Sequence, residues 1–183
     1  RLGWNDPRQC LEFVQVLEDA GAALISIHGR TKCQGYSGQA DWKTVGQARA
    51  KVKIPVLVNG DIKDLSSARA ALEQSLAAGV LIARGALGNP WIFRQLTAAF
   101  YGGCESLAPT ISDRLEIIKK HARLHLDHYG PGALITFRKH LVWYFKGLPN
   151  IKPYRQRLVR VSSLTELEGL LKLIELNYSA SER

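Results

Sequence analysis

The sequence predicts an α/β fold that gives way, near residues 103 to 111, to an all-helical domain. Two observations carry this. Pro55 to Val58 and Gly79 to Ala83 are short apolar runs separated by an amphipathic helical stretch. Continuous apolar strands that alternate with helices are parallel strands buried on both faces. From Ser112 onward the pattern is helical only.

Each element follows from its residues. Pro7 to Ala20 reads as a helix, with Asp6 as cap, Pro7 in the first turn and Gly21 as the stop. Cys10, Phe13, Val14 and Leu17 mark its expected buried stripe. Ala22 to Ile27 reads as a buried strand that ends in His28-Gly29-Arg30-Thr31. A Gly-rich polar loop runs from Lys32 to Ala40, and Asp41 caps a helix from Trp42 to about Lys51. Asp64 to Gln74 is the next helix, with Leu65, Ala68, Ala71, Leu72 and Leu76 on one face. Pro90 opens a helix that reaches Tyr101 and stops at Gly102-Gly103. Ser112 to Tyr129 buries Leu115, Ile118, Ala122 and Leu126; Gly130-Pro131-Gly132 turns the chain. Leu134 to Phe145 and Thr165 to Tyr178 follow as helices, the latter with Thr165 and Glu168 as a capping box. Lys152 to Val161 is basic and compatible with a helix.

Right-handed crossovers bring the strand-end turns to one edge of the sheet. Those turns are His28-Gly29-Arg30, Asn59-Gly60-Asp61 and Arg84-Gly85. In a (β/α)8 barrel, the loops after the last two strands commonly form a phosphate site with a short extra helix. Gly60 and Gly85 allow close backbone approach, Arg84 offers a forked cation, and Ala86 to Gly88 is the candidate short helix. An ordinary βα turn with a solvated arginine is the competing reading. His28 at a strand end suits donation to a ligand or proton transfer, against a histidine satisfied by backbone. Arg30 suits a phosphate or a base.

The chain has 183 residues, 46% hydrophobic, with three cysteines (Cys10, Cys33, Cys104) and no Met. The scattered, odd cysteine count argues against a disulfide framework and for a reducing cytoplasmic setting. No apolar run approaches a membrane span. A full barrel takes about 250 residues, so with three clear strands and no starting Met the expectation is the C-terminal part of a larger protein. Its domains would be residues 1–103, a partial barrel, and 112–183, a helical domain.

Net charge is +9, which points to a polyanionic partner rather than to a fold. The helical domain mixes basic and aromatic residues: Arg138, Lys139 and His140 lie beside Trp143 and Tyr144, and Lys152, Arg155, Arg157 and Arg160 follow. Such a surface suits recognition of folded RNA through phosphates and shape. Trp143 and Tyr144 suit either base stacking or the core. His121, His125 and His128 have the spacing of a metal-binding helix, but nothing completes a ligand set, so a solvated or RNA-facing helix is the expectation and no metal is assigned.

Taken in order, Arg1-Leu2-Gly3-Trp4, His28-Gly29-Arg30-Thr31, Asn59-Gly60-Asp61-Ile62, Ala83-Arg84-Gly85, Asn89-Pro90-Trp91-Ile92-Phe93, Tyr129-Gly130-Pro131 and Arg138-Lys139-His140 resemble the bacterial tRNA-dihydrouridine synthases, the B-type most of all. The resemblance implies a TIM barrel followed by a helical tRNA-binding domain. It implies an FMN-dependent, NADPH-driven reduction of the C5=C6 bond of a uridine in the tRNA D-loop, by a cytoplasmic monomer. It assigns His28, Asn59, Gly60, Asp61, Ala83 and Arg84 to FMN and Arg30 to the substrate side, while Arg138, Lys139 and His140 are assigned to the tRNA on the charge of the helical domain. Where the family pattern has Gly, this chain has Ala83, which fits only if the backbone there is not left-handed. The family's catalytic cysteine matches none of Cys10, Cys33 and Cys104, so no catalytic residue is assigned in this chain and no turnover is expected of it alone. A non-catalytic RNA-binding remnant and a different phosphate-binding barrel are the alternatives.

Overall fold

Three short strands, β1 (Ile25–His28), β2 (Val56–Asn59) and β3 (Gly79–Leu81), form a parallel sheet in the order β1-β2-β3. The computed structural model describes residues 1–103 and 108–181. Cys104 and residues 105–107 of the expected linker lie outside the described residues. Among those residues, no helix is long and apolar enough to cross a membrane.

The chain divides into two compact units. The first holds Arg1–Ala86 and the body of the helix that continues from Ile92. After a 3-10 turn at Pro7–Gln9 comes α1 (Cys10–Asp19); α2 (Trp42–Arg49), α3 (Leu65–Ser75) and α4 (Trp91–Tyr101) follow. Short polar residues set the helix starts. Asp6 accepts from the Arg8 N–H, Asp41 from Thr44, and Asp64 from Ser67 in a reciprocal box. The core joins Val14 of α1, Ile25 and Ile27 of β1, Val56 and Val58 of β2, and Val45, Ala48, Ala68 and Ala71 of the crossover helices.

Two expected core residues lie outside. Phe13 is 59% exposed, because it stands about 100° around the helix from the buried Val14. Leu76 is 70% exposed. It is the C-cap of α3, in left-handed backbone at φ 51°, so its side chain leaves the helical stripe.

The second unit comprises Leu87–Trp91 and the helices α5 (Ile111–Tyr129), α6 (Leu134–Tyr144), α7 (Lys152–Leu158) and α8 (Leu164–Ser181). Leu115, Ile118 and Ala122 of α5 meet Leu134, Phe137 and Leu141 of α6, with Leu167, Leu171 and Ile174 of α8 closing the core. Tyr144 is in this core. α5 starts one residue before the sequence suggests, under a Thr110–Asp113 capping box. The cap of α8 also differs from expectation. Ser163, not Thr165, accepts from the Glu166 N–H, while Glu168 pairs with Arg123 at 2.7 Å.

Candidate functional site

His28 and Asn59 end adjacent strands and face each other in register. Arg84 follows just past the end of β3. The Asn59 carbonyl accepts from the Gly29 N–H at 2.9 Å, and its side-chain amide donates to the Leu81 carbonyl at 2.7 Å. Asn59 therefore stitches the three strand ends together. Gly60 continues at φ 113° and Asp61 at φ 57°, which folds the turn back over the strand end.

Asp61 is the hub. Its Oδ2 accepts from Arg30 Nη2 at 2.7 Å and from the Ala40 N–H at 2.8 Å. Its Oδ1 lies 3.7 Å from Arg84 Nη2. Burial alone would raise the Asp61 carboxyl, but the Ala40 N–H and the Arg30 guanidinium, with Arg84 beyond, hold it below the usual carboxylate range. Burial, with Arg1 and Arg30 nearby, lowers the affinity of His28 for a proton, so its imidazole is neutral near pH 7.

The two arginines have different settings. The Arg84 side chain is 55% exposed, with its guanidinium carbon 4.1 Å from the centre of the Tyr36 ring. The Arg30 side chain is 3% exposed. It donates to the Ser37 and Gly38 carbonyls as well as to Asp61, while its Nη1 is buried with no hydrogen-bond partner among the described residues. Arg30 thus lies beneath the Gly-rich loop rather than extended from it.

Ala86 to Gly88 forms no helix; a 3-10 turn spans Arg84–Ala86 instead, too short to build a helix dipole. Gly85 serves packing: a Cβ there would strike the Ile62 carbonyl and stand 2.8 Å from the Lys63 Cα. Ala83 does not take left-handed backbone, so its methyl is accommodated. Sequence reasoning missed Tyr36, Ala40 and Trp42, whose indole N–H donates to the Gly60 carbonyl at 2.9 Å. They sit in or beside a loop with no periodic pattern, and only the aromatics among its glycines signal a role.

The dihydrouridine synthase family model matches residues 1–180. The chain belongs to the dihydrouridine synthase family. It is 41% identical over 157 residues to a probable tRNA-dihydrouridine synthase of Rickettsia bellii, covering 85% of this chain and 48% of the relative. It is 38% identical to probable tRNA-dihydrouridine synthase 1 of Synechocystis, covering 93% and 48%. Against the probable tRNA-dihydrouridine synthase of Rhodobacter capsulatus it is 40% identical, covering 100% and 55%. The chain thus spans about half the length of the curated relatives it matches.

In this dihydrouridine synthase chain, the basic positions of the second unit divide by setting. Arg138 donates to the Val161 and Arg160 carbonyls at 2.9 and 3.1 Å, holding the segment after α7. Lys139 is exposed, as are Lys146, Lys152, Arg155, Arg157 and Arg160. His140 stacks among His121, Phe137 and Trp143, with ring centres 4.8, 5.3 and 5.1 Å away. His121 also meets the Phe137 ring edge at 4.9 Å, and His125 Nε2 lies 2.8 Å from Thr136 Oγ1. The histidine face of α5 is therefore largely packed against α6 rather than solvated. Among the described residues, no group of three or more His, Cys, Asp or Glu is placed to hold a metal.

Burial, with His121, Lys139 and His125 nearby, pushes His140 down to about 4. The sign of the consequence is fixed: between pH 6.5 and 4 the unfolded chain binds a proton that the folded chain refuses, so stability falls as pH drops through that window. Solvent screening at this half-buried site limits the effect to about 1 kcal/mol. Melting temperature followed from pH 7 to pH 4.5 should fall, and the fall should be shallower in His140→Gln. Parallel profiles for the two proteins would refute the assignment.

Proposed function

We propose that this chain supplies the phosphate side of a flavin site and an RNA-binding helical unit to a tRNA-dihydrouridine synthase. The observation that carries this is the convergence of Asn59, Gly60, Asp61 and Arg84 beside His28 at the ends of three adjacent parallel strands. The reading includes a (β/α)8 barrel to which the three strands belong. It also includes reduction of the C5=C6 bond of a uridine in the tRNA D-loop.

The residues present suit FMN. Arg84 offers exposed guanidinium donors to a phosphate dianion. Gly60, at φ 113°, allows the turn to pack its backbone against Ala40 and His28 at the strand ends where the phosphate would sit. His28, neutral, has one ring nitrogen to donate and one to accept toward the flavin ring. Bound at this site with NADPH as its reductant, FMN would supply the hydride chemistry at C6 of the uridine. The base must be turned out of the RNA to reach it. Lys139 and the exposed cations of α7 and its flanks bind RNA phosphates, which makes affinity fall with salt.

No cysteine described here is assigned the proton that C5 requires. Cys10 is buried, its thiol donates to the Pro7 carbonyl, and burial weakens its acidity. The chain alone is proposed to bind without turning over.

The test uses the 183-residue chain. FMN is added and removed by desalting, the visible spectrum is recorded, and tRNA binding is followed by gel shift at rising salt. Retained flavin bands together with a salt-sensitive shift are expected. A colourless chain that still shifts tRNA would replace this reading with an RNA-only role, and loss of both would end it.

A further inference from the structure

The Gly-rich loop between β1 and α2 has no regular structure of its own, yet it is tethered to the strand-end turn at several points. The Ser37 and Gly38 carbonyls accept from Arg30. The Ala40 N–H donates to Asp61. Tyr36 lies against the Arg84 guanidinium, with Arg1 5.8 Å from the same ring. The contacts of Tyr36 with Arg84, and those of Ser37, Gly38 and Ala40, lead to the Asp61 carboxylate directly or through one arginine, while the start of the loop is held separately, by Arg1 on the Thr31 and Gly35 carbonyls and by the Lys32 and Cys33 N–H groups on the Gly3 and Trp4 carbonyls. Asp61 itself is held at φ 57°, a conformation that few side chains tolerate and that Asp and Asn tolerate best.

The charges at this spot explain why one carboxylate can govern the second half of the loop. Arg30 is 2% exposed and Asp61 is its only carboxylate partner among the described residues. A guanidinium buried without its counter-charge is costly, and the cost is relieved by letting the loop above it open. Arg84 depends on Asp61 more weakly: it is exposed and 3.7 Å away, so Asp61 biases its direction without neutralising it.

We infer that Asp61 is a positioning residue: its carboxylate does not hold the flavin but fixes Arg30, Arg84 and the loop segment 36–40 in the arrangement in which Arg84 receives a phosphate. This rests on the flavin reading above and changes the part Asp61 has in it. An acidic side chain facing a phosphate dianion would repel it, whereas one turned toward two arginines and a backbone N–H orders the cations that attract it.

Asp61→Asn tests this. Asparagine keeps the shape and the left-handed backbone, removes the charge and replaces one acceptor oxygen with a donor. Hydrogen exchange is compared between the variant and the parent chain, peptide by peptide, and the FMN dissociation constant is measured by quenching of flavin fluorescence. The expected result is about tenfold faster exchange across residues 36–41, with α5 to α8 unchanged. FMN affinity is expected to be weaker by about tenfold or more. Unchanged exchange in the loop, or unchanged FMN affinity, overturns the inference. If the parent chain binds no FMN, the flavin reading falls, and exchange in the loop alone decides the role of Asp61. If Asp61→Asn unfolds throughout, the double variant Arg30→Met with Asp61→Asn removes the buried charge with its partner. It should fold with the loop still open, and a protected loop in it overturns the inference.

Discussion

Gly88→Ala should be the most damaging single-methyl change in the second unit. Gly88 sits at φ 70°, and a Cβ built there would strike the backbone of Trp143 and lie 2.6 Å from the Tyr144 nitrogen. Neither neighbour is the flexible end of a side chain. Both belong to the last turn of α6, whose Leu141 and Tyr144 are part of the buried core. The Arg114 guanidinium adds a clamp at the same place, donating to the Tyr144 carbonyl at 2.8 Å and to the Gly88 carbonyl at 3.4 Å while lying over the Trp91 ring. Left-handed strain and backbone collision together should cost about 3–5 kcal/mol. Gly147→Ala provides the comparison. Gly147 is at φ 80° with nothing within 4 Å of an added Cβ, so it carries the strain without the collision and should cost about 1 kcal/mol. Urea unfolding followed by circular dichroism reads both. Equal losses in the two variants would show that the approach of Leu87–Trp91 to α6 has no energetic weight.

What the sequence disclosed follows from how local each signal is. Strand ends and helix stripes depend on period, so β1, β2, the Asp64 cap and the Leu115-Ile118-Ala122 face were all readable. Errors arose where one residue departs from the period for a local reason. Leu76 leaves its stripe because it is a left-handed cap, and Phe13 sits at the margin of its own. Residue type also says little about what a cation is for. Arg138 and Lys139 are neighbours and equally basic, yet one binds two backbone carbonyls and the other meets solvent. His140 belongs to a ring cluster that no linear spacing announces, since its partners come from both α5 and α6. At the candidate site the strand-end rule located His28, Asn59, Asp61 and Arg84. It could not show that Arg30 lies buried under the loop, because that depends on the fold of residues 31–40, where no pattern repeats.

Gly60→Ala should abolish the strand-end turn in the same way that Gly88→Ala disrupts α6, with a consequence for binding as well as stability. At φ 113° an alanine is strained wherever it stands. Here an added Cβ would also come within 2.8 Å of both the Ala40 Cβ and the His28 ring. Relief requires the turn to move away from β1 or the loop to lift. Either movement breaks the bond from Trp42 to the Gly60 carbonyl and shifts Asp61, the next residue, from Arg30 and Ala40. The first unit should lose about 2–4 kcal/mol. Flavin retained by the parent chain after desalting should be absent from the variant. The two effects separate by temperature: well below the variant's melting point, a folded protein that still fails to retain flavin places the loss in the turn itself. A variant that folds and stays yellow would mean that the Gly60 turn is needed for the packing of β1 against β2 and not for the ligand.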